Sequence, residues 1–95
     1  MGEPIISTQE FELDPVACFG SEFERHREQE RLALPGSIER RRASLLFLKF
    51  LEETPDELIK RYALCEAERQ GSARIIGHIL LSIQEQRDRL EKLCK

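Results

Sequence analysis

The sequence predicts an all-α fold: a small three- to four-helix bundle or orthogonal array with an extended N-terminal arm and a long C-terminal helix. The first observation is the run Leu45–Leu51, in which six of seven residues are Leu or Phe rather than the β-branched residues typical of strands. The second is a Pro-Gly break at 35–36 and a Gly-Ser break at 71–72, which separate segments of helical length. The third is an apolar stripe at three- and four-residue spacing through residues 73–94.

The run Leu45–Leu51 organises this prediction. Residues 45–48 are successive apolar positions, and at about 100° per residue they cover most of the circumference of a helix. We therefore expect this helix to be buried on several sides. Only Lys49 interrupts the run, and its aliphatic stem can lie on apolar surface with the ammonium group in water.

Residues 1–20 are predicted to form the extended N-terminal arm. The β-branched pair that begins at Ile5 favours an extended segment, and Asp14 followed by proline is a helix-start signal. We expect one helical turn over residues 16–19, which Gly20 would stop.

Residues 21–95 are predicted to form a single helical domain. Capping signals are expected at four places: Ser21 with Glu24, Ser37, Thr54 with Glu57, and Ser72. The predicted helices span about 22–33, 38–53, 55–69 and 73–94. The first has few apolar residues and is therefore predicted to be a peripheral helix or an arm.

The charge is distributed unevenly along the chain. The formal net charge is -3, which argues against a protein that binds nucleic acid in bulk. Residues 1–34 carry eight acids and three bases, whereas residues 35–95 carry ten acids and twelve bases. This pattern indicates either an acidic arm over a mildly basic helical body or an ordinary solvated surface.

A run of three arginines opens the second predicted helix, at the end where the helix dipole disfavours positive charge. These arginines are candidates for binding phosphate or a carboxylate-rich partner, and Arg74 could join them. The alternative is that Glu39 and the acids of the N-terminal arm neutralise them. The candidate residues are Arg40, Arg41, Arg42 and Arg74.

The long last helix is the second candidate site. Its apolar stripe belongs either to the core or, where it extends beyond the body, to a seam with a second copy or a partner helix. The residues predicted for this dimer or partner seam are Ile76, Ile79, Ile83, Leu90 and Leu93.

No catalytic, metal or cofactor site is predicted. The sequence contains no phosphate loop, nucleophile elbow or nucleotide fingerprint. The histidines and cysteines lack the close spacing of metal ligands; they are His26, His78, Cys18, Cys65 and Cys94.

We expect a cytoplasmic protein that does not enter a membrane. Three cysteines without a secretory signal are typical of reduced intracellular thiols. The longest apolar run is far shorter than a membrane span, and the N-terminus has no targeting pattern.

The segment 48–59, LKFLEETPDELI, followed by GSARII at residues 71–76, resembles the helical core-binding domain of tyrosine recombinases. The resemblance covers roughly residues 42–92. It implies a helical module associated with DNA, and it transfers no catalytic residue to this chain.

Two functions are therefore predicted. The first is a small non-enzymatic helical protein that binds another protein or itself, as an adaptor, regulator or homodimer. The alternative is a nucleic-acid-associated module that uses the arginines at 40–42.

Overall fold

The computed structural model describes residues 14–94, which form four helices and no strand. In chain order the helices are α1 (Pro15–Leu32), α2 (Ile38–Glu53), α3 (Asp56–Gln70) and α4 (Ile75–Cys94). The prediction of a small all-α array with a long C-terminal helix is confirmed. Residues 1–13 of the predicted arm lie outside the described residues.

Helix α1 begins earlier than predicted. The carboxylate of Asp14 accepts hydrogen bonds from the backbone N–H groups of Val16 and Ala17 at 3.1 and 3.2 Å, so Asp14 caps the helix. The single turn expected over residues 16–19 is the first turn of an 18-residue helix that continues through Gly20. Residues 15–20 therefore belong to the helical body, and the boundary of the arm at residue 20 is corrected.

Gly20 does not stop α1, because residues on both sides of it in the helix, Phe19 and Phe23, pack into the core. A Cβ atom at this position would lie 3.1 Å from Cε1 of Tyr62 on α3. The glycine therefore lets the tyrosine ring approach the backbone of α1, and the packing of this ring outweighs the low helix propensity of glycine. Ser21, in the middle of the helix, is consequently not a capping residue.

The inward face of α1 consists of Phe19, Phe23, His26 and Glu30. Their spacing of four, three and four residues is that of a helical stripe. Two of the four side chains are polar, which is why the segment has a weak apolar pattern in the sequence. The prediction of a peripheral first helix is wrong, since this stripe lies in the centre of the molecule.

Helix α2 spans the residues predicted for it and begins at Ser37, whose hydroxyl accepts a hydrogen bond from the N–H of Arg40 at 3.0 Å. Its buried residues are Ser44, Phe47, Leu48 and Leu51, a single stripe. Leu45 and Leu46 are exposed. The expectation that the run Leu45–Leu51 is buried on several sides is therefore corrected, because neighbouring helices cover only one side of α2.

The junction between α2 and α3 also differs from its predicted capping box. The hydroxyl of Thr54 donates to the carbonyl oxygen of Phe50 at 2.7 Å and so closes the end of α2. Pro55 is the residue that precedes α3, and no side chain caps that helix. Thr54 therefore serves the end of one helix rather than the start of the next.

Helix α3 ends at Gly71, which adopts a left-handed conformation with φ of 74°. The N–H of Ser72 donates to the carbonyl oxygen of Ala67 at 3.0 Å, a bond typical of a glycine-terminated helix. Residues 73–74 form a turn, so α4 begins at Ile75, two residues later than predicted.

The four helices surround a core that contains most of the aromatic residues. Helices α1 and α4 each pack against both α2 and α3. The rings of Phe19 and Phe23 contact those of Phe50 and Phe47 at centroid distances of 5.4 Å in both cases. Helix α4 adds the buried residues Ile83 and Leu90 to this core. Helix α3 contributes the small buried residues Ala63 and Ala67.

Candidate functional site

A buried carboxylate joins three helices near the end of the array. Glu30 of α1 accepts two hydrogen bonds from the guanidinium group of Arg89 on α4, at 2.6 and 3.2 Å. It also accepts a bond at 2.6 Å from the hydroxyl of Ser44 on α2. Only 5% of Glu30 is exposed, so these bonds replace nearly all of its contact with water.

The balance of effects on Glu30 keeps it ionised. Burial raises the pKa of Glu30, but the hydrogen bonds from Arg89 and Ser44 and the positive charges of Arg89 and Arg40 outweigh burial. The pKa of Glu30 is therefore lower than its ordinary value. A carboxylate that stays charged and fully bonded serves here as a structural connection between α1, α2 and α4.

His26 is the second buried polar group of α1. Its ring stacks on Phe47 and Phe50, with centroid distances of 5.8 and 4.9 Å. Its Nδ1 is buried and has no hydrogen-bond partner. Burial lowers the pKa of His26, and the charge of Arg25 adds to this effect, while Glu22 opposes it. The neutral imidazole is thus the form that fits the core.

The arginines predicted as a phosphate or partner site occupy different environments. Arg40 is half-buried, and its Nη1 donates to the carbonyl oxygen of Ala33 at 3.1 Å. Arg41 and Arg42 are exposed. Among the described residues no carboxylate, Glu39 included, forms an ion pair with any of the three. The acids of the arm at residues 1–13, which the alternative also invokes, lie outside the described residues.

Arg74 does not join this cluster. It lies in the turn before α4, whereas Arg40 lines a groove together with Leu93 near the opposite end of that helix. At about 1.5 Å per residue, the 18 residues between Ile75 and Leu93 separate the two positions by about 27 Å. The structure thus brings Arg40 and Arg41 together at one groove and leaves Arg74 remote from it.

That groove lies between the α1–α2 turn and the last turns of α4, and we call it the turn groove. Its volume is about 490 Å³. The residues that line it are Pro35, Gly36, Ser37, Ile38, Arg40, Arg41, Ser44 and Leu93. The turn on one side is held by Ser37, whose hydroxyl donates to the carbonyl oxygen of Leu34 at 2.6 Å.

Large apolar side chains stand exposed at the turn groove. Ile38 is 68% exposed and Leu93 is 62% exposed, and both line the groove. Leu34, which directly precedes the lining residues, is 75% exposed. Because α2 and α4 contribute from separate parts of the sequence, the helix packing itself assembles this apolar surface.

The structure divides the predicted seam on α4 between the core and the surface. Ile83 and Leu90 are buried within the chain, and Ile79 packs against the same core. Ile76 is half-buried, while Leu93 is exposed at the turn groove. Ile83 and Leu90 are therefore not available for a seam with a second chain, because α2 and α3 already cover the side of α4 on which they lie.

Glu30, Ser44 and Arg89 were not identified as a group by sequence reasoning. The spacing of Glu30 from Phe19, Phe23 and His26 was the available signal, since it places the carboxylate on the inward face of α1. Arg89 lies 59 residues away from Glu30 in the sequence, and no local pattern connects the two.

The described residues contain neither a group of metal ligands nor a candidate membrane-spanning helix. Within residues 14–94, no three His, Cys, Asp or Glu side chains are grouped as ligands for a metal ion. In the same part of the chain, no helix combines the length and the apolar character needed to cross a bilayer. His78 is exposed on α4, and no disulfide joins the three cysteines.

No protein-family model matches the chain, and no curated protein or solved structure shows significant similarity to it. The resemblance of residues 42–92 to recombinase core-binding domains therefore has no support beyond the residues themselves. Any function assigned to the chain has to come from its own geometry and charges.

Proposed function

We propose that this protein is a small helical protein-binding module that docks a partner at the turn groove. The observation that carries the proposal is the pairing of two exposed apolar side chains, Ile38 and Leu93, with Arg40 and Arg41 around one concave surface. Protein interfaces combine apolar anchors with arginine in this way, since arginine contributes both apolar contact and directed hydrogen bonds.

The rest of the fold supports a docking role. The turn groove rests on a rigid base, because Ser44 lies in its wall and donates to the buried Glu30. A surface that is already shaped before binding loses less conformational entropy when a partner arrives. A location in the cytoplasm belongs to the same proposal.

Substitution at the turn groove tests the proposal. We expect Ile38→Asp and Leu93→Asp each to reduce capture of the partner from the native source at least about tenfold, since a charge at an interface centre is left desolvated. Leu81→Asp is the matched control, because Leu81 is 57% exposed on α4 and does not line the groove. Circular dichroism verifies that all three variants remain folded. Equal capture by all three would refute the groove as the docking surface.

A second copy of the chain is one possible partner of this surface. Sedimentation equilibrium over a hundredfold range of concentration distinguishes the cases. A mass that rises to twice that of the monomer, and no longer rises in the Ile38→Asp variant, would identify the module as a homodimer that uses the turn groove.

Nucleic-acid binding is the second candidate function, and one observation favours it: Arg41 and Arg42 are exposed and form no ion pair with the described residues. Binding to phosphates would weaken steeply with salt, because counterions are released. Titration of labelled duplex and single strands at low and moderate salt, with Arg41→Ala and Arg42→Ala together, tests it. Binding that is unchanged by both substitutions or by salt would exclude this function.

A further inference from the structure

We infer that the turn groove selects an acidic amphipathic helix of a partner protein. This inference rests on the proposed function and adds the chemistry of the partner. Three observations support it, which concern the charges in the groove, the charges in the neighbouring cleft and the form of the available surface.

The arginines of the turn groove form no ion pair with a carboxylate of the described residues, although the charge of Arg40 acts on the buried Glu30. Arg40 bonds to a neutral carbonyl oxygen, and Arg41 makes no ion pair there. Both also lie in the first turns of α2, where the partial positive charge of the helix dipole adds to theirs. A carboxylate placed in the groove would therefore meet two guanidinium groups and a helix N-terminus.

The neighbouring cleft shows the opposite arrangement and serves as an internal comparison. It has a volume of about 460 Å³ and shares only Arg40 with the turn groove. Each of its three other arginines is paired with a carboxylate of the same cleft: Arg27 with Glu24, Arg31 with Glu28, and Arg89 with Glu30. Of the arginines that line these two surfaces, only Arg40 and Arg41 form no ion pair with a described carboxylate, and both line the turn groove, where a partner can complement their charge.

The shape of the surface favours a helical partner. The described chain contains no strand, so it offers no sheet edge to an extended peptide in this region. Exposed apolar side chains on both walls, Ile38 on α2 and Leu93 on α4, can receive the apolar stripe of an amphipathic helix. Glutamates that flank this stripe would lie against Arg40 and Arg41.

Three synthetic peptides test this selection on the full chain. The first peptide has leucines at positions i, i+3, i+4 and i+7 and glutamates at the flanking positions. The second has the same leucines with lysines in place of the glutamates. The third keeps the glutamates of the first and has serine in place of each leucine. Fluorescence anisotropy measures the affinity of each for the protein. We expect the acidic peptide to bind at least about tenfold more tightly than either of the others.

Charge reversal in the protein provides the decisive comparison. We expect Arg41→Glu to weaken binding of the acidic peptide about tenfold and to improve binding of the lysine peptide, since the new carboxylate cancels the charge of the remaining Arg40. Arg42→Glu is the matched control: it makes the same change of charge one residue away, at a side chain that does not line the groove. It should alter the affinity clearly less than Arg41→Glu does, since its side chain does not line the groove and is screened by solvent.

Each other result overturns the inference. Absence of binding by the acidic peptide, equal binding of the acidic and lysine peptides, or equal effects of Arg41→Glu and Arg42→Glu would show that the groove does not select acidic helices. A peptide with the sequence of residues 1–13, if it binds more tightly than the acidic helix, would instead identify the chain's own segment as the ligand. If capture of the native partner needs Ile38 but not Arg41, the inference fails while the docking surface stands.

Discussion

His26 is a histidine that the core accepts only in its neutral form. Its ring lies between the aromatic side chains of α2, and its Nδ1 has no partner. Protonation would place a charge among buried aromatic rings, and the carboxylate of Glu22, 3.9 Å from Nε2, offsets this cost only in part. A single residue therefore links the packing of α1 to the pH of the solution.

Acidification is expected to destabilise the protein through His26. Because burial lowers the pKa of this histidine in the folded state, the unfolded chain binds the proton more readily. Its contribution to stability is complete above the unfolded pKa of about 6.5 and is lost as the pH falls below that value. Thermal unfolding followed between pH 7.5 and 5 should show a decreasing midpoint.

The variant His26→Leu should lose most of this dependence, since it removes the titrating group and fills a similar volume. His78→Gln is the control, because His78 is exposed on α4. An unchanged pH dependence in His26→Leu would contradict the assignment.

Glu30, whose pKa is lowered, contributes a separate loss of stability that begins only at more acidic pH, near and below 4.5.

Arg89→Leu should lower the free energy of unfolding by about 2 kcal/mol, because it leaves the buried carboxylate of Glu30 with only the bond from Ser44. The estimate is below that for a fully buried pair, since the side chain of Arg89 is 40% exposed. Urea denaturation measures the change. Arg87→Leu, which removes a surface contact with Glu91 at 3.5 Å, should cost less than about 1 kcal/mol.

The double variant Glu30→Leu with Arg89→Leu completes the comparison. It should recover much of the lost stability, since neither charge then remains unpaired in the interior. Additive losses in the double variant would show that the two groups do not interact as a pair.

At the scale of the helices, glycine has opposite consequences at two positions. Gly20 faces the ring of Tyr62 at 3.1 Å from the position of an added Cβ atom, whereas an added Cβ at Gly77 would meet nothing within 4 Å. Within the described chain, no neighbouring helix therefore approaches Gly77 closely. The close approach occurs at Gly20.

Alanine substitutions should separate these two roles. Gly77→Ala is expected to stabilise the protein by up to about 1 kcal/mol, since alanine is the better helix former and nothing obstructs it. Gly20→Ala should gain less or lose stability, because the ring of Tyr62 must move by a few tenths of an ångström. Urea denaturation of both variants measures the difference. Equal stabilisation by both would mean that the Tyr62 contact exerts no constraint.

On the scale of the whole molecule, the core connects all four helices through a small number of large side chains. Phe19 contacts Phe50 of α2 and Tyr62 of α3, and the buried residues of α4 complete the cluster. With so few shared residues, no helix retains a separate core when the others unfold. The network of Glu30, Ser44 and Arg89 adds a polar connection at one end.

Thermal unfolding should consequently be a single cooperative transition. The protein has no Trp and a single Tyr, so tyrosine fluorescence reports the contact between α1 and α3 at Tyr62 alone. Far-UV circular dichroism reports all four helices at once. The two curves should coincide. A fluorescence transition that precedes the loss of helix would show that α1 and α3 separate before the rest unfolds.

Local signals in the amino-acid sequence are enough to predict that the protein is helical and where most of its helices begin and end. Residues 38–53 were predicted to the residue, because Ser37 and the break at 54–55 act through local hydrogen bonds and backbone geometry. Gly71 similarly marked the end of α3. Such signals involve residues within one turn of each other, so the sequence contains all the interacting partners.

The packing of the helices, in contrast, determines which helix faces are buried and which side chains are exposed on the surface. It placed a histidine and a glutamate on the inward face of α1, exposed Leu45 and Leu46, and withdrew Ile83 and Leu90 into the core. It also assembled the turn groove from α2 and α4. The physical reason is that burial depends on neighbours distant in the chain: periodicity reveals the faces of a helix, but the packing of other helices determines which face is removed from water.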